Sequence, residues 1–404
     1  MSEWKEFSLS ELCTDISYGY TESAVSEPIG PKFLRITDIV PKQIDWLNVP
    51  YCRSSQENIE KYRLEIGDIV IARTGATTGY NKTIKQLNYE TVFASYLIRY
   101  RINKKIADPF YVGHILQSPL WQDYVNAIAG GSAQPGANAK QLGSFEFLLP
   151  PLPEQKAIAG VLSSLDNKID LLHRQNKTLE AMAEALFRQW FVEEVDEKCE
   201  FNKLDEIAVV QNGYAFSSSN YIENIDDCLE VLKMGHIEKG GGLKTNPKRD
   251  YVPRNNKLSR WVLNKGDIVM AMTDMKDNVV ILGAPAMIDK DDTYVLNQRV
   301  ARIYLKSNTK LISQYFLYIQ LKNPDFIADL QSKANSGVQV NLSTDAIKNS
   351  EIIIPPMKTQ IEKGQLMMDS YLKKEKNDIQ IRTLEKFRNT LLSKLMSGEV
   401  RVTV

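Results

Sequence analysis

The chain has 404 residues, 43% of them hydrophobic and 25% charged, which is the mixture of a folded protein and excludes a disordered one. Fifty basic residues against fifty acidic ones leave a formal charge of zero. That excludes an indiscriminate polycation but leaves regional basic patches open as nucleic-acid footprints.

The opening residues, MSEWKEFSLSEL, lack the basic and apolar regions of a secretion signal, and no run approaches the eighteen or so apolar residues of a membrane span. Four scattered cysteines (Cys13, Cys52, Cys199, Cys228) show no CxxC spacing and are expected to be reduced, in a cytoplasmic protein with no membrane partner. His114, His173 and His236 are equally dispersed and give zinc little to build on.

In chain order, FLRITDI (33–39) is the first of several strand signals. YRLEIGDIVIA (62–72) follows, in which Gly-Asp makes a turn and the β-branched run reads as a buried strand. VFASYLIRY (92–100) is another strand, and PFYVGHILQSPLWQDYVNAI (109–128) is helical. A loop with glycines and a glutamine, GGSAQPGANAKQ (130–141), leads to the strand FEFLLPP. The whole series then recurs: VLKMGHI (231–237), WVLNKGDIVMA (261–271), VLNQRVARI (295–303), LISQYFLYIQLKNPDFIADLQ (311–331), NSGVQVNLSTDA (335–346) and EIIIPPMKTQ (351–360). Pro150 and Pro151 match Pro355 and Pro356, as Gln134 matches Gln339, at a separation of 205, and the earlier matches lie 198 to 203 apart. Offsets that creep upward by single residues are what small loop insertions produce. A period near 200 is too long for a solenoid, so each copy is a mixed α/β domain large enough to bury its own core.

After the first Pro-Pro the period changes. Ile158, Leu162, Leu165, Ile169, Leu172, Asn176, Leu179, Ala183, Leu186 and Trp190 are spaced alternately four and three residues apart, an a/d seam. The second helical stretch, 358–397, is less regular: Met368, Leu372 and Ile379 hold one phase, and Ile381, Leu384, Leu391 and Leu395 another. Crossing at their midpoints, the helices would set Asn176 beside Asn377 and fix the register at some cost in stability, so that Asn176→Leu alone is expected to raise the melting temperature.

Catalytic signatures are missing. GATTGYNK (75–82) lacks the spacing of a phosphate loop, and there is no GxGxxG after a strand, GxSxG elbow, HExxH helix or Asn/Asp-Pro-Pro-aromatic run. Asp68 and Asp267, repeated in GDIV, read as turn aspartates at the heads of strands. Basic residues gather instead in KTNPKRDYVPRNNKLSR (244–260), where Lys244, Lys248, Arg249 and Arg254 could reach phosphates or base edges. The matching first-half segment (46–63) supplies Arg53. After the GDIV strands, Arg73, Thr74 and Lys82 in one half and Lys276 in the other are further candidates for DNA contact, with Gln134 and Gln339 in the late loops. The framework repeats while the reading residues differ, as two different recognition tasks would require.

With the repeated GDIV, the glutamine loop, LPPLPEQKAIAGVLSSLDNKID and LFRQWF on the page, the chain resembles the specificity (S) subunit of type I restriction–modification enzymes over essentially its whole length. The second copy departs from the Leu-Pro-x-x-Glu-Gln pattern, since IPPMKTQ lacks the glutamate. The resemblance implies target-recognition domains at 1–152 and 196–356, with spacer helices at 153–195 and 357–404. It implies an antiparallel coiled coil with pseudo-twofold symmetry, and a half-site of a split asymmetric DNA sequence read by each domain. Implied partners are double-stranded DNA, two modification (M) subunits and, through them, restriction (R) subunits. No cofactor or catalytic centre is implied for this chain. S-adenosylmethionine belongs to the M partner, and ATP and Mg to the R partner.

Overall fold

The computed structural model describes residues 4–41, 43–129, 136–244, 246–275, 279–311, 313–336 and 339–402. Contacts divide the chain into two units, Met1–Leu171 with Gln380–Val404, and Leu172–Ile379. The division runs through the middle of both long helices, so each unit holds half of the helix pair beside one repeat.

The first unit is built on a four-stranded antiparallel sheet in the order Cys13–Tyr18, Leu97–Ile102, Ile69–Ala72, Asn81–Thr83. Strands Lys32–Leu34 and Thr91–Phe93 pair in parallel, and Lys5–Ser8 pairs antiparallel with Glu146–Leu149. The run Ile69–Ala72 is apolar throughout because both its faces are covered. Ile69 and Ile71 pack with Tyr111, Val112, Trp121 and Val125 of the helices Pro109–Ile115 and Pro119–Ala129, while Val70 and Ala72 join Leu34, Trp46 and Phe93 on the other side.

The second unit repeats this design. Its sheet runs Ala208–Asn212, Val300–Leu305, Ile268–Ala271, Pro285–Met287, again antiparallel. Ile268 and Met270 face the core that includes Phe316 and Leu330, and Val269 and Ala271 face a second core. Even the register is kept: Ile69 lies opposite Tyr100, and Ile268 opposite Ile303. Tyr18 lies opposite Ile98, and Asn212 opposite Ala301.

The first long helix is Leu152–Arg188, 37 residues or about 56 Å. All ten expected seam positions are buried or half-buried, with Trp190 in a π-helical turn, Gln189–Glu193, that follows the helix. The second is Gln365–Met396, preceded by a π-helical turn, Gln360–Gly364. Met368 and the second expected phase, Ile381, Leu384, Leu391 and Leu395, are buried or half-buried as read. Leu372 and Ile379 are corrected: they are 37% and 49% exposed, while Met367, Tyr371 and Asn377 are buried. The hydrophobic pattern misleads there because polar side chains occupy the seam.

In the second unit, Asn377 Nδ2 donates to Asn176 Oδ1 at 2.9 Å and Asn176 Nδ2 donates to Asp378 Oδ1 at 2.7 Å, so the expected asparagine pair is present. Lys374 lies 3.0 Å from Asp378 and 3.7 Å from Glu180. Burial opposes its charge, but Asp378 and Glu180 outweigh that and raise its pKa. In the first unit, Arg388 meets Asp166 at 2.9 Å, and Arg401 grips Glu154 with two hydrogen bonds of 2.7 and 2.6 Å. Rising numbers on one helix meet falling numbers on the other in both units, so the halves are antiparallel.

The recurring Pro-Pro and glutamine also find their reason. Gln155, 1% exposed, donates to the Pro150 carbonyl at 2.7 Å and accepts the Asp108 N–H at 2.8 Å. Gln360, also 1% exposed, donates to the Pro355 and Lys310 carbonyls at 2.8 and 3.0 Å. Proline carbonyls that no helix can satisfy are met by the glutamine five residues on, which ties the start of each helix segment to its own domain. Among the described residues, no helix is long and apolar enough to cross a membrane.

Candidate nucleic-acid interface

The turn that launches each GDIV strand is built twice in one way. Gly67 and Gly266 have φ of +98° and +87°, a region open to glycine. Asp68 accepts the Glu65 N–H at 2.8 Å, and Asp267 accepts the Asn264 N–H at 2.7 Å. Asp68 also binds Arg101 through two hydrogen bonds of 2.8 Å, and Asp267 binds Arg302 at 2.7 Å. Both aspartates therefore hold structure, as expected of turn residues.

Beyond the strand the chain reaches the exposed end of the sheet. Arg73 N–H donates to the Tyr96 carbonyl at 3.1 Å, and the Arg73 carbonyl accepts from Ala137 N–H at 2.9 Å. Thr74 forms a bridge with Gly136. The guanidinium of Arg73 lies 5.0 Å from the centre of the Tyr18 ring, and its Nε is buried with no hydrogen-bond partner among the described residues. Lys82 sits half-buried on the edge strand opposite Val70, and Arg53 is exposed after Cys52. Arg73 and Thr74 are thus brought together with Tyr18, which sequence reading missed.

The connection from Ala271 to Gly283 is organised differently. Asp274, 5% exposed, accepts the backbone N–H groups of Met275, Val280, Ile281 and Leu282 at 2.8, 2.6, 2.6 and 3.2 Å. Burial opposes its ionisation, but these four donors win and hold its pKa below the ordinary aspartate value. A carboxylate thereby joins the chain on either side of 276–278; Lys276, like Gln134, falls outside the described residues. Gln339 pairs through its backbone with Met275.

The basic segment of the second repeat divides by role. Lys248 is exposed, and Lys244, half-buried, donates its backbone N–H to the His236 carbonyl at 2.8 Å. Arg249 has 47% of its side chain exposed while its Nε lies 3.3 Å from Glu230. Glu230 is oriented in turn. His236 Nδ1 accepts the Lys233 N–H at 3.2 Å, so the neutral ring carries its proton on Nε2 and donates it to Glu230 Oε1 at 3.1 Å. Burial lowers the His236 pKa and favours that neutral form, against the pull of Glu230. Arg254 is engaged on every side, with Asp227 at 2.9 Å, the Asp292 carboxylate at 2.6 Å and the Asp292 carbonyl at 2.9 Å. Both aspartates hold left-handed backbone, φ +59° and +51°, so Arg254 clamps two turns. Nearby, a groove of about 990 Å³ is lined by Asn212, Arg260, Trp261, Tyr304, Thr344 and Lys348, among others.

With this geometry established, the family is clear. The family model of the type I restriction modification DNA specificity domain matches residues 1–181 and again 196–382, and the chain belongs to this family. Among its relatives is the type I restriction enzyme MjaVIII specificity subunit of Methanocaldococcus jannaschii, 28% identical over 339 residues that cover 78% of this chain and 76% of that one. The HindI specificity subunit of Haemophilus influenzae is 21% identical over 465 residues, 99% of this chain and 100% of its own. In fold, the chain is similar to the crystal structure of a type I restriction–modification S subunit from M. genitalium, with a TM-score of 0.58 at 17% identity, covering 97% and 96% of the two chains.

Proposed function

We propose that this chain is the DNA sequence-specificity subunit of a type I restriction–modification assembly, each repeat reading one half of a bipartite asymmetric site. One observation carries the reading. Two domains share strand register, turn aspartates and helix-tying glutamines, yet present different side chains at the same end of the sheet. Duplicated scaffolds with divergent surfaces suit two half-sites of different sequence. The long helices dock two methyltransferase subunits, and the chain itself is non-catalytic. S-adenosylmethionine serves the methyltransferase as methyl donor, and ATP with Mg²⁺ serves the restriction subunit. Lys248 and Arg249 contact the DNA backbone of one half-site, and Arg73 and Thr74 lie at the other.

The test is an exchange of residues 196–356 for the corresponding segment of another family member, assembled with methyltransferase subunits. Mapping of methylated adenines is expected to show one half-site replaced and the other retained. A change in both half-sites would contradict the division of labour.

A further inference from the structure

The two repeats align on each other hydrogen bond by hydrogen bond at the exposed end of the sheet. Arg73 N–H donates to the Tyr96 carbonyl at 3.1 Å, and Met272 N–H to the Arg299 carbonyl at 3.0 Å. The Arg73 carbonyl accepts from Ala137, and the Met272 carbonyl from Leu342 at 2.8 Å. Gly19 and Gly213 precede tyrosines that continue the match: Tyr20 N–H donates to the Phe93 carbonyl at 2.8 Å, and Tyr214 N–H to the Leu296 carbonyl at 2.9 Å. A Cβ on either glycine would lie under 2.5 Å from a facing carbonyl oxygen, so both repeats require glycine at this close approach. The correspondence extends to side chains. Tyr18 Oη accepts the Ala139 N–H at 3.0 Å, and at the matching places Asn212 Oδ1 accepts the Thr344 hydroxyl at 2.6 Å.

Position 18 therefore equals 212, 73 equals 272, and 96 equals 299. The backbone is the same, but the side chains are Tyr18, Arg73 and Tyr96 in one repeat and Asn212, Met272 and Arg299 in the other. Tyr18 and Tyr96 are 41% and 58% exposed, and Asn212 and Arg299 are exposed as well. In each contact the matched side chain acts as acceptor, so its own donor, the Tyr18 O–H in one repeat and the Asn212 Nδ2–H in the other, remains on an exposed residue. A fixed backbone carrying divergent, exposed donors is what distinguishes reading from scaffolding.

We propose that these matched positions determine the sequence read by each repeat: Tyr18, Arg73 and Tyr96 in one, and Asn212 and Arg299 in the other, where Met272 is buried in the core and leaves its place without a reading side chain. Arg299 and the Asn212 amide donate to acceptor atoms on purine edges in one half-site, guanine O6 and N7 foremost for the arginine. In the other half-site Tyr18 and Arg73 donate, with Tyr96 packed on a base or sugar. The proposal rests on the DNA-reading assignment, and the experiment separates the two.

The full complex with its methyltransferase subunits would be prepared with Asn212→Ala, with Arg299→Ala, and with the triple transplant Tyr18→Asn, Arg73→Met, Tyr96→Arg. Each would act on genomic DNA, followed by sequencing of methylated adenines, and each melting curve would be compared with that of the unaltered complex. Arg299→Ala and Asn212→Ala are expected to relax discrimination at one or two positions of a single half-site, by roughly ten- to hundred-fold for the arginine. The transplant is expected to alter only the other half-site. Arg299→Lys, which keeps charge but loses the fork, should also relax the site. Unchanged half-sites would overturn the proposal, as would a uniform loss of methylation with no altered base preference. If the unaltered complex methylated without sequence preference, the DNA-reading assignment itself would fail.

Discussion

Single side chains in this protein do two kinds of work, and charge alone does not tell them apart. Arg254 and Arg249 lie five residues apart in one basic run, yet Arg254 clamps Asp227 and Asp292 while Arg249 remains 47% exposed beside Glu230. The double variant Lys248→Ala, Arg249→Ala should weaken duplex binding and lower the slope of log K against log salt by about two, whereas Arg254→Ala should lower the melting temperature and leave that slope unchanged. Binding titrations across a salt series, with melting curves, check both. Asp274 provides a second case. Asp274→Ala strands four backbone donors and is expected to cost about 2–4 kcal/mol. Because the folded pKa lies below the unfolded value of about 3.9, this contribution is fully present above that pH and is lost as pH falls through the folded pKa. The melting difference between the parent and Asp274→Ala should therefore be constant near neutrality and shrink below about pH 4.

At the scale of elements, the long helices owe their alignment to polar groups. Asn176 and Asn377 are 6% and 1% exposed and bond to each other. Asn176→Leu alone leaves the Asn377 amide buried and unpaired, so the sequence-based expectation of a gain is reversed into a loss of about 1–3 kcal/mol. Replacing both by leucine removes the unpaired group and should raise the melting temperature above the parent while loosening register. Cysteines placed at 176 and 377 should cross-link readily in the otherwise unaltered chain and less uniformly when neighbouring seam residues are made all apolar. Melting curves that rank the single variant above the parent would show that Asn377 finds another partner.

For the whole molecule, the proposed role as a specificity subunit predicts a chain that needs partner subunits for chemistry. The purified chain is expected to bind duplex DNA but to transfer no methyl group and cut no strand when given DNA, Mg²⁺ and S-adenosylmethionine. Methylation should appear on addition of methyltransferase subunits and saturate at two per chain, measured by methyl incorporation and by mass of the assembly. Turnover by the chain alone would point instead to an enzyme with a diverged site.

The sequence by itself determined what depends on local periodicity. It exposed the duplication, the doubly buried GDIV strands, the strict seam of Leu152–Arg188 and the recurrence of Pro-Pro with glutamine, because burial writes apolar residues at fixed spacings. It grouped Arg249 and Arg254 in one basic run without showing that Arg254 is held by Asp227 and Asp292 while Arg249 stays exposed. Only the tertiary structure joined Tyr18 to Arg73 and Ala139, and Asn212 to Thr344, since a hydrogen bond between distant segments leaves no period in either. The second helix shows the boundary most plainly. Its seam holds Lys374 and Asn377, whose burial is made tolerable by partners far along the chain, and no hydrophobic pattern records a partner.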